Sequence, residues 1–126
     1  MNRKIRKIRV GSNNLEIRRI KPLNAEPLTL VFLHEGLGSI SMWRDFPDRL
    51  AESTGLGAII YSRLGYGDSD PVSLPRALNY LQHEGTIILS KILEVENINR
   101  AILIGHSDGG TISLIHAGID STARIV

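Results

Sequence analysis

Apolar residues along this chain occur in two alternating patterns. Short continuous apolar runs rich in β-branched residues are typical of buried strands. They lie at Leu28–Leu33, 58–61 and 101–104. Apolar residues spaced three and four positions apart are typical of amphipathic helices. They lie at 41–53, 74–96 and 112–117. The sequence therefore predicts an α/β fold, in which a mostly parallel sheet carries helices on both faces.

The first twenty residues predict an antiparallel hairpin. Its strands are expected at 4–10 and 15–20, on either side of Gly11-Ser12-Asn13-Asn14, where glycine and asparagine tolerate the positive φ of a turn. Basic residues alternate with apolar ones in both strands, and we interpret them as the solvent-facing side of the hairpin. Residues 123–126 predict the beginning of one more strand.

One proline and one ion pair refine the first predicted helix. Pro47 is acceptable only in the first turn of a helix, so the helix at 41–53 is expected to begin near Phe46. Asp45 and Arg49 lie four positions apart, which allows their side chains to pair.

The composition limits the classes of protein to be considered. With 126 residues, 42% of them hydrophobic and 22% charged, the chain has the size of one globular domain, placed at 1–126. A net charge of +2 argues against a nucleic-acid partner, and no apolar run is long enough to span a membrane. Cysteine is absent, which excludes disulfides and thiolate chemistry and makes a cytoplasmic location the default. We expect no cofactor and no metal site.

One turn is expected to carry the chemistry. Gly105-His106-Ser107-Asp108-Gly109 joins a predicted strand to a predicted helix. A G-x-S-x-G turn in that context is a nucleophile elbow, which holds a strained serine at its apex with the hydroxyl exposed. Gly105 and Gly109 would allow the neighbouring backbone to approach closely. We therefore predict Ser107 as a catalytic nucleophile, and the alternative is a glycine turn with a helix-capping serine.

A second glycine-containing segment follows the strand Leu28–Leu33. It reads His34-Glu35-Gly36-Leu37-Gly38-Ser39. An oxyanion hole takes one backbone N–H from the residue after the nucleophile, here Asp108, and another from a loop of this kind. We assign the second N–H to Gly36 or Glu35, and the alternative is a plain turn between strand and helix. His34 is expected to form structural hydrogen bonds instead of acting as a general base.

A third segment, Ser62-Arg63-Leu64-Gly65-Tyr66-Gly67-Asp68-Ser69-Asp70, is interpreted as a structural loop near the rim of the site. The three segments follow strands in the order found in the α/β-hydrolase family. The chain closely resembles the N-terminal half of that family, in the branch of small serine esterases and C–C bond hydrolases. The resemblance implies a sheet order of 1-2-4-3-5. Glu35 departs from the family pattern, in which many members have a second glycine there.

The resemblance also implies a triad acid and histidine placed well after the elbow. Beyond the elbow turn, Asp120 is the only acidic residue of the sequence and His116 is the only histidine. His116 lies on the following helix. We therefore expect a fold truncated after that helix, without the acid and histidine of the triad and inactive alone, as in a fragment, a split gene or a frameshift product.

Three functions remain open at this point. The first is a serine hydrolase acting on a small ester-like or C–C carbonyl substrate. The alternative is a non-catalytic interaction module, whose exposed sheet edge pairs with a complementing chain or with a second copy. A weaker alternative is a small anionic ligand bound at the helix that begins near Gly109.

Overall fold

A six-stranded sheet forms the centre of the protein, whose computed structural model describes residues 4–119 and 123–125. The strands are β1 (Ile5–Val10), β2 (Asn13–Ile20), β3 (Leu28–Leu33), β4 (Gly57–Tyr61), β5 (Arg100–Gly105) and β6 (Ala123–Ile125). Their order across the sheet is β1-β2-β4-β3-β5-β6. The predicted order of the first five strands is therefore confirmed, and the strand expected near the end of the sequence pairs with β5.

The antiparallel and parallel parts of the sheet meet at β4. Strand β2 pairs with β1 and with β4 in antiparallel fashion, whereas β3 lies parallel to both β4 and β5. The hairpin turn is shorter than predicted. Asn13 and Asn14 pair with Val10 and Arg9, which leaves Gly11 and Ser12 as the turn, with Gly11 at φ +62°.

Helices cover both faces of the sheet, as predicted. On one face, α1 (Phe46–Thr54) and a 3₁₀ turn at Ile40–Trp43 pack on β3 and β4. On the other face, α3 (Leu89–Val95) and α4 (Asp108–Ile119) cover the second apolar core. The expectation that α1 begins near Phe46 is confirmed, and the Asp45–Arg49 ion pair forms at 2.9 Å.

The helix predicted over 74–96 is wrong in its first part and distorted in its middle. Helical structure begins only at α2 (Tyr80–His83), and a π-helical segment at Glu84–Ile88 separates α2 from α3. Pro75 disfavours the helical conformation of Leu74, because a proline restricts the residue before it. Within the π-helical segment, a β-carbon on Gly85 would lie 2.8 Å from Ile115 Cγ2, so glycine permits close packing on α4.

The prediction that the basic residues of the hairpin face solvent is wrong for Arg18. This side chain is buried and forms an ion pair with Asp48 of α1, including a hydrogen bond of 3.1 Å from Nη1 to Oδ2. The physical reason is that β2 lies between β1 and β4 and that Arg18 reaches α1, so this charged side chain needs a partner inside the protein. None of the described helices combines the length and apolarity needed to cross a bilayer.

Candidate active site

Ser107 occupies a backbone conformation that is rare for a residue with a side chain. It lies between the end of β5 and the beginning of α4, with φ +55°, and it is exposed. Its carbonyl oxygen accepts hydrogen bonds from Gly110 N–H at 2.8 Å and Thr111 N–H at 3.2 Å in the first turn of α4. A non-glycine residue in the left-handed region carries strain, which must be held by the surrounding structure.

Two glycines let this turn pack tightly on itself and on β3. A β-carbon on Gly105 would collide with the carbonyl of Gly109, and one on Gly109 would collide with the carbonyl oxygen of Leu33. The N–H of His106 donates to that same Leu33 oxygen at 3.1 Å. The turn that presents Ser107 is therefore fixed against the carboxyl end of β3.

The segment after β3 lies beside the same turn. It forms a tight turn of its own, in which Gly38 N–H donates to Glu35 O at 3.1 Å. A β-carbon on Gly36 would lie 2.7 Å from Asp108 Oδ2, which shows how closely the two segments approach. Glu35 Oε2 lies 4.0 Å from His106 Nδ1. The structure thus brings Glu35 and Gly36 next to the residues that flank Ser107.

His34 forms structural hydrogen bonds, as expected. The side chain is buried, its Nε2 accepts a hydrogen bond from Arg63 N–H at 2.9 Å, and its Nδ1 lies 2.6 Å from Glu35 O. This pattern places the ring proton on Nδ1. Burial, followed by the nearby charge of Arg63, lowers the pKa of His34 to about 4, so the ring is neutral at pH 7.

The other three histidines of the chain lie in different environments. His116 is buried on α4 with Nδ1 2.9 Å from Gly85 O, and His83 is exposed on α2. His106 is exposed and faces Glu35. Asp120, the acid that follows the turn in the sequence, lies outside the described residues.

A buried polar cluster beneath the segment after β3 was not predicted from the sequence. Arg63 is completely buried, and Glu84 is buried with it. Burial raises the pKa of Glu84 to about 7, although the charges of Arg63 and Arg76 act to lower it. Burial also raises the pKa of Tyr61, which lies in the same region. The position of Arg63 close to the end of β4, which ends at Tyr61, was the available signal, since the carboxyl ends of parallel strands converge at one edge.

The strand order and the β5–turn–α4 arrangement define an α/β-hydrolase fold. The chain belongs to the alpha/beta hydrolase family, whose family model matches residues 30–126. No curated protein matches the sequence.

Solved structures share this fold at low sequence identity. They include Est816, described as an N-acyl homoserine lactone degrading enzyme (17% identity, TM-score 0.76, 96% of this chain and 42% of that one). Epoxide hydrolase VrEH1 from Vigna radiata is similar (16% identity, TM-score 0.79, 96% of this chain and 37% of that one). Proline iminopeptidase from Mycobacterium smegmatis is similar as well (24% identity, TM-score 0.73, 95% of this chain and 41% of that one). The chain therefore spans about two fifths of the length of these structures.

Proposed function

We propose that this chain carries the nucleophile and the oxyanion hole of a serine hydrolase that acts on a small carbonyl substrate. The observation that carries the proposal is the exposed, left-handed Ser107 beyond the carboxyl end of β5, close to the segment that contains Gly36. Strain of this kind persists only where the surroundings enforce it, and it is concentrated at functional sites.

The proposed reaction begins with attack of Ser107 Oγ on the carbonyl carbon. The carbonyl π electrons move to oxygen, and the N–H groups of Asp108 and of Gly36 or Glu35 receive the negative charge. A base takes the hydroxyl proton, and collapse of the tetrahedral intermediate expels the leaving group and leaves an acyl ester on Ser107. Water then hydrolyses this ester.

The histidine and the acid of the triad are proposed to come from residues outside this chain. The surroundings of three histidines support this. His34 is buried and neutral in the hydrogen bonds described above, and His116 is buried against the carbonyl of Gly85. The exposed His106 has its Nδ1 4.0 Å from Glu35 Oε2. The chain alone would then acylate and deacylate slowly, because both steps need a base.

Ester-like substrates and C–C bonds next to a carbonyl are both included in the proposal. Est816, described as degrading N-acyl homoserine lactones, supports a carbonyl substrate. Proline iminopeptidase and the epoxide hydrolases show that the same fold carries other reactions, so the leaving group is left open.

Acylation of the serine by p-nitrophenyl acetate tests this proposal. The chain is incubated with the ester in buffers of increasing imidazole, which supplies the missing base, and peptide mass spectrometry locates the acetyl group. We expect acetylation of Ser107 that increases with imidazole and is absent in Ser107→Ala. No acetylation of Ser107 at any imidazole concentration would refute the nucleophile. Saturable turnover without imidazole, lost in Ser107→Ala, would refute the external base alone.

A non-catalytic interaction module is a second candidate function. It is favoured by two large apolar side chains of α4, Leu114 and Ile119, which are 63% and 58% exposed. A partner chain that covered these side chains would remove their apolar surface from water. Light scattering across protein concentrations tests it: a complex that Leu114→Glu disrupts would support the module, and a monomer throughout would oppose it.

A further inference from the structure

The buried Arg63 holds the two carbonyl groups that precede the proposed oxyanion donors. Its Nη1 donates to His34 O at 2.6 Å, and its Nη2 donates to Glu35 O at 3.1 Å. The third donor, Nε, bonds Tyr80 Oη at 2.8 Å. The side chain is completely buried, so it cannot exchange these partners for water.

Peptide geometry converts these carbonyl bonds into a constraint on two N–H groups. In a trans peptide, the C=O of one residue and the N–H of the next point in opposite directions within one plane. Holding His34 O therefore directs the N–H of Glu35 away from the guanidinium. Holding Glu35 O directs the N–H of Gly36 away in the same manner.

Other hydrogen bonds also hold the carbonyl oxygen of Glu35. Glu35 O also accepts from Gly38 N–H at 3.1 Å and from His34 Nδ1–H at 2.6 Å. The imidazole of His34 is itself held by Arg63 N–H at 2.9 Å. Backbone and side chain of Arg63 thus support the segment from two directions, and a planar guanidinium suits such multiple, directed bonds better than an ammonium.

We propose that Arg63 is a positioning residue, which sets the direction of the Glu35 and Gly36 N–H groups toward the oxyanion of the acylation step. The inference rests on the proposed function, because those two N–H groups matter for catalysis only if Ser107 is the nucleophile. Arg63 acts through the backbone of residues 34–36 and does not touch the substrate.

The substitution Arg63→Lys provides the main test. Lysine keeps the charge, but its single ammonium cannot bond both carbonyl oxygens and Tyr80 in the same geometry. The matched control is Arg76→Lys, because Arg76 is a neighbouring arginine that donates to Leu64 O at 2.7 Å and not to the segment after β3. Acylation of Ser107 is followed over a range of p-nitrophenyl acetate concentrations at fixed imidazole.

We expect Arg63→Lys to lower the maximal acylation rate constant by about 10- to 100-fold, as misdirected oxyanion donors would. The half-saturating ester concentration should stay unchanged, because the ground-state ester carries no full charge on oxygen. The maximal acylation rate constant of Arg76→Lys should stay within about twofold of the wild type, because Arg76 bonds Leu64 O and not the segment after β3. A purely structural role would reduce the fraction of protein that reacts, without changing the rate constant of the folded fraction. An unchanged rate constant in Arg63→Lys would overturn the inference.

A second measurement keeps the inference testable if Arg63→Lys does not fold. In the wild type, NMR should show slowly exchanging Nη protons on Arg63, with cross-peaks to the segment after β3. Rapidly exchanging Nη protons would overturn the inference. The two proposals also fail separately. An unacylated wild type refutes the role of Ser107, whereas an acylated wild type matched by Arg63→Lys refutes only the role of Arg63.

Discussion

The dependence of stability on pH should be controlled by two buried groups that act in opposite directions. Glu84 has its pKa raised from 4.5 to about 7 by burial, and His34 has its pKa lowered from 6.5 to about 4 by burial and by Arg63. Stability from Glu84 is present below pH 4.5 and is lost as pH rises through about 7. Stability from His34 is present above pH 6.5 and is lost as pH falls through about 4.

The magnitudes are similar, so the wild type should conceal both effects. Each pH unit between the folded and unfolded pKa values corresponds to about 1.4 kcal/mol, which gives about 3 kcal/mol for each group. Between pH 4.5 and 6.5 the two contributions have opposite slopes and nearly cancel. Replacing one group should therefore expose the other.

The variant Glu84→Gln isolates the contribution of the histidine. Glutamine resembles the protonated glutamic acid that the fold prefers, so the variant should match the wild type near pH 4.5. It should be more stable than the wild type by about 3 kcal/mol above pH 7, where the wild type must bury a carboxylate. Within the variant alone, the free energy of unfolding should fall by about 3 kcal/mol between pH 6.5 and 4.

Urea unfolding monitored by fluorescence provides the assay. Trp43 is the one tryptophan of the sequence and packs against Phe32, with ring centroids 5.2 Å apart, so unfolding should change its emission. Glu94→Gln on the exposed side of α3 serves as the control, since it removes a carboxyl that is not buried. Parallel curves of unfolding free energy against pH for Glu84→Gln and the wild type would refute the reasoning.

Two further predictions concern stability. Ser107→Gly should raise the free energy of unfolding by about 1 kcal/mol, because glycine adopts the φ of +55° without strain. A lower free energy of unfolding in urea would contradict strain at this turn. Asp48→Ala should lower the free energy of unfolding by about 3–5 kcal/mol, because the variant buries Arg18 without this carboxylate. A decrease of less than about 1 kcal/mol in urea unfolding would show that the ion pair is dispensable.

Local sequence patterns predicted the parts of the fold that depend on local interactions. Strand β3 begins and ends where its apolar run does, because both faces of Leu28–Leu33 meet helices. The hairpin and the start of α1 at Phe46 follow from turn residues and from a proline in the first helical turn. The helix over 74–96 was predicted less well. Residues 74–79 are not helical, and the segment around Gly85 is π-helical where it packs on α4.

The candidate site also contains locally determined parts, which the sequence predicts, and long-range contacts, which it does not. The G-x-S-x-G pattern predicted a tight turn between β5 and α4, because the two glycines and the serine all act within five residues. Arg63 could not be predicted in the same way. Its carbonyl partners lie 28 and 29 positions away, and an arginine in a loop is ordinarily solvated.

Burial of a charged side chain is a property of the assembled layers and not of its neighbours in sequence. Arg63 is held because β3 and β4 are parallel neighbours in the sheet, so the segments that follow them emerge side by side at one edge. Glu84 of the π-helical segment is buried as well, and its pKa rises because its carboxyl loses water there. The hydrogen bonds that orient the Glu35 and Gly36 peptides are therefore a consequence of strand order, which connects the fold directly to the chemistry proposed for Ser107.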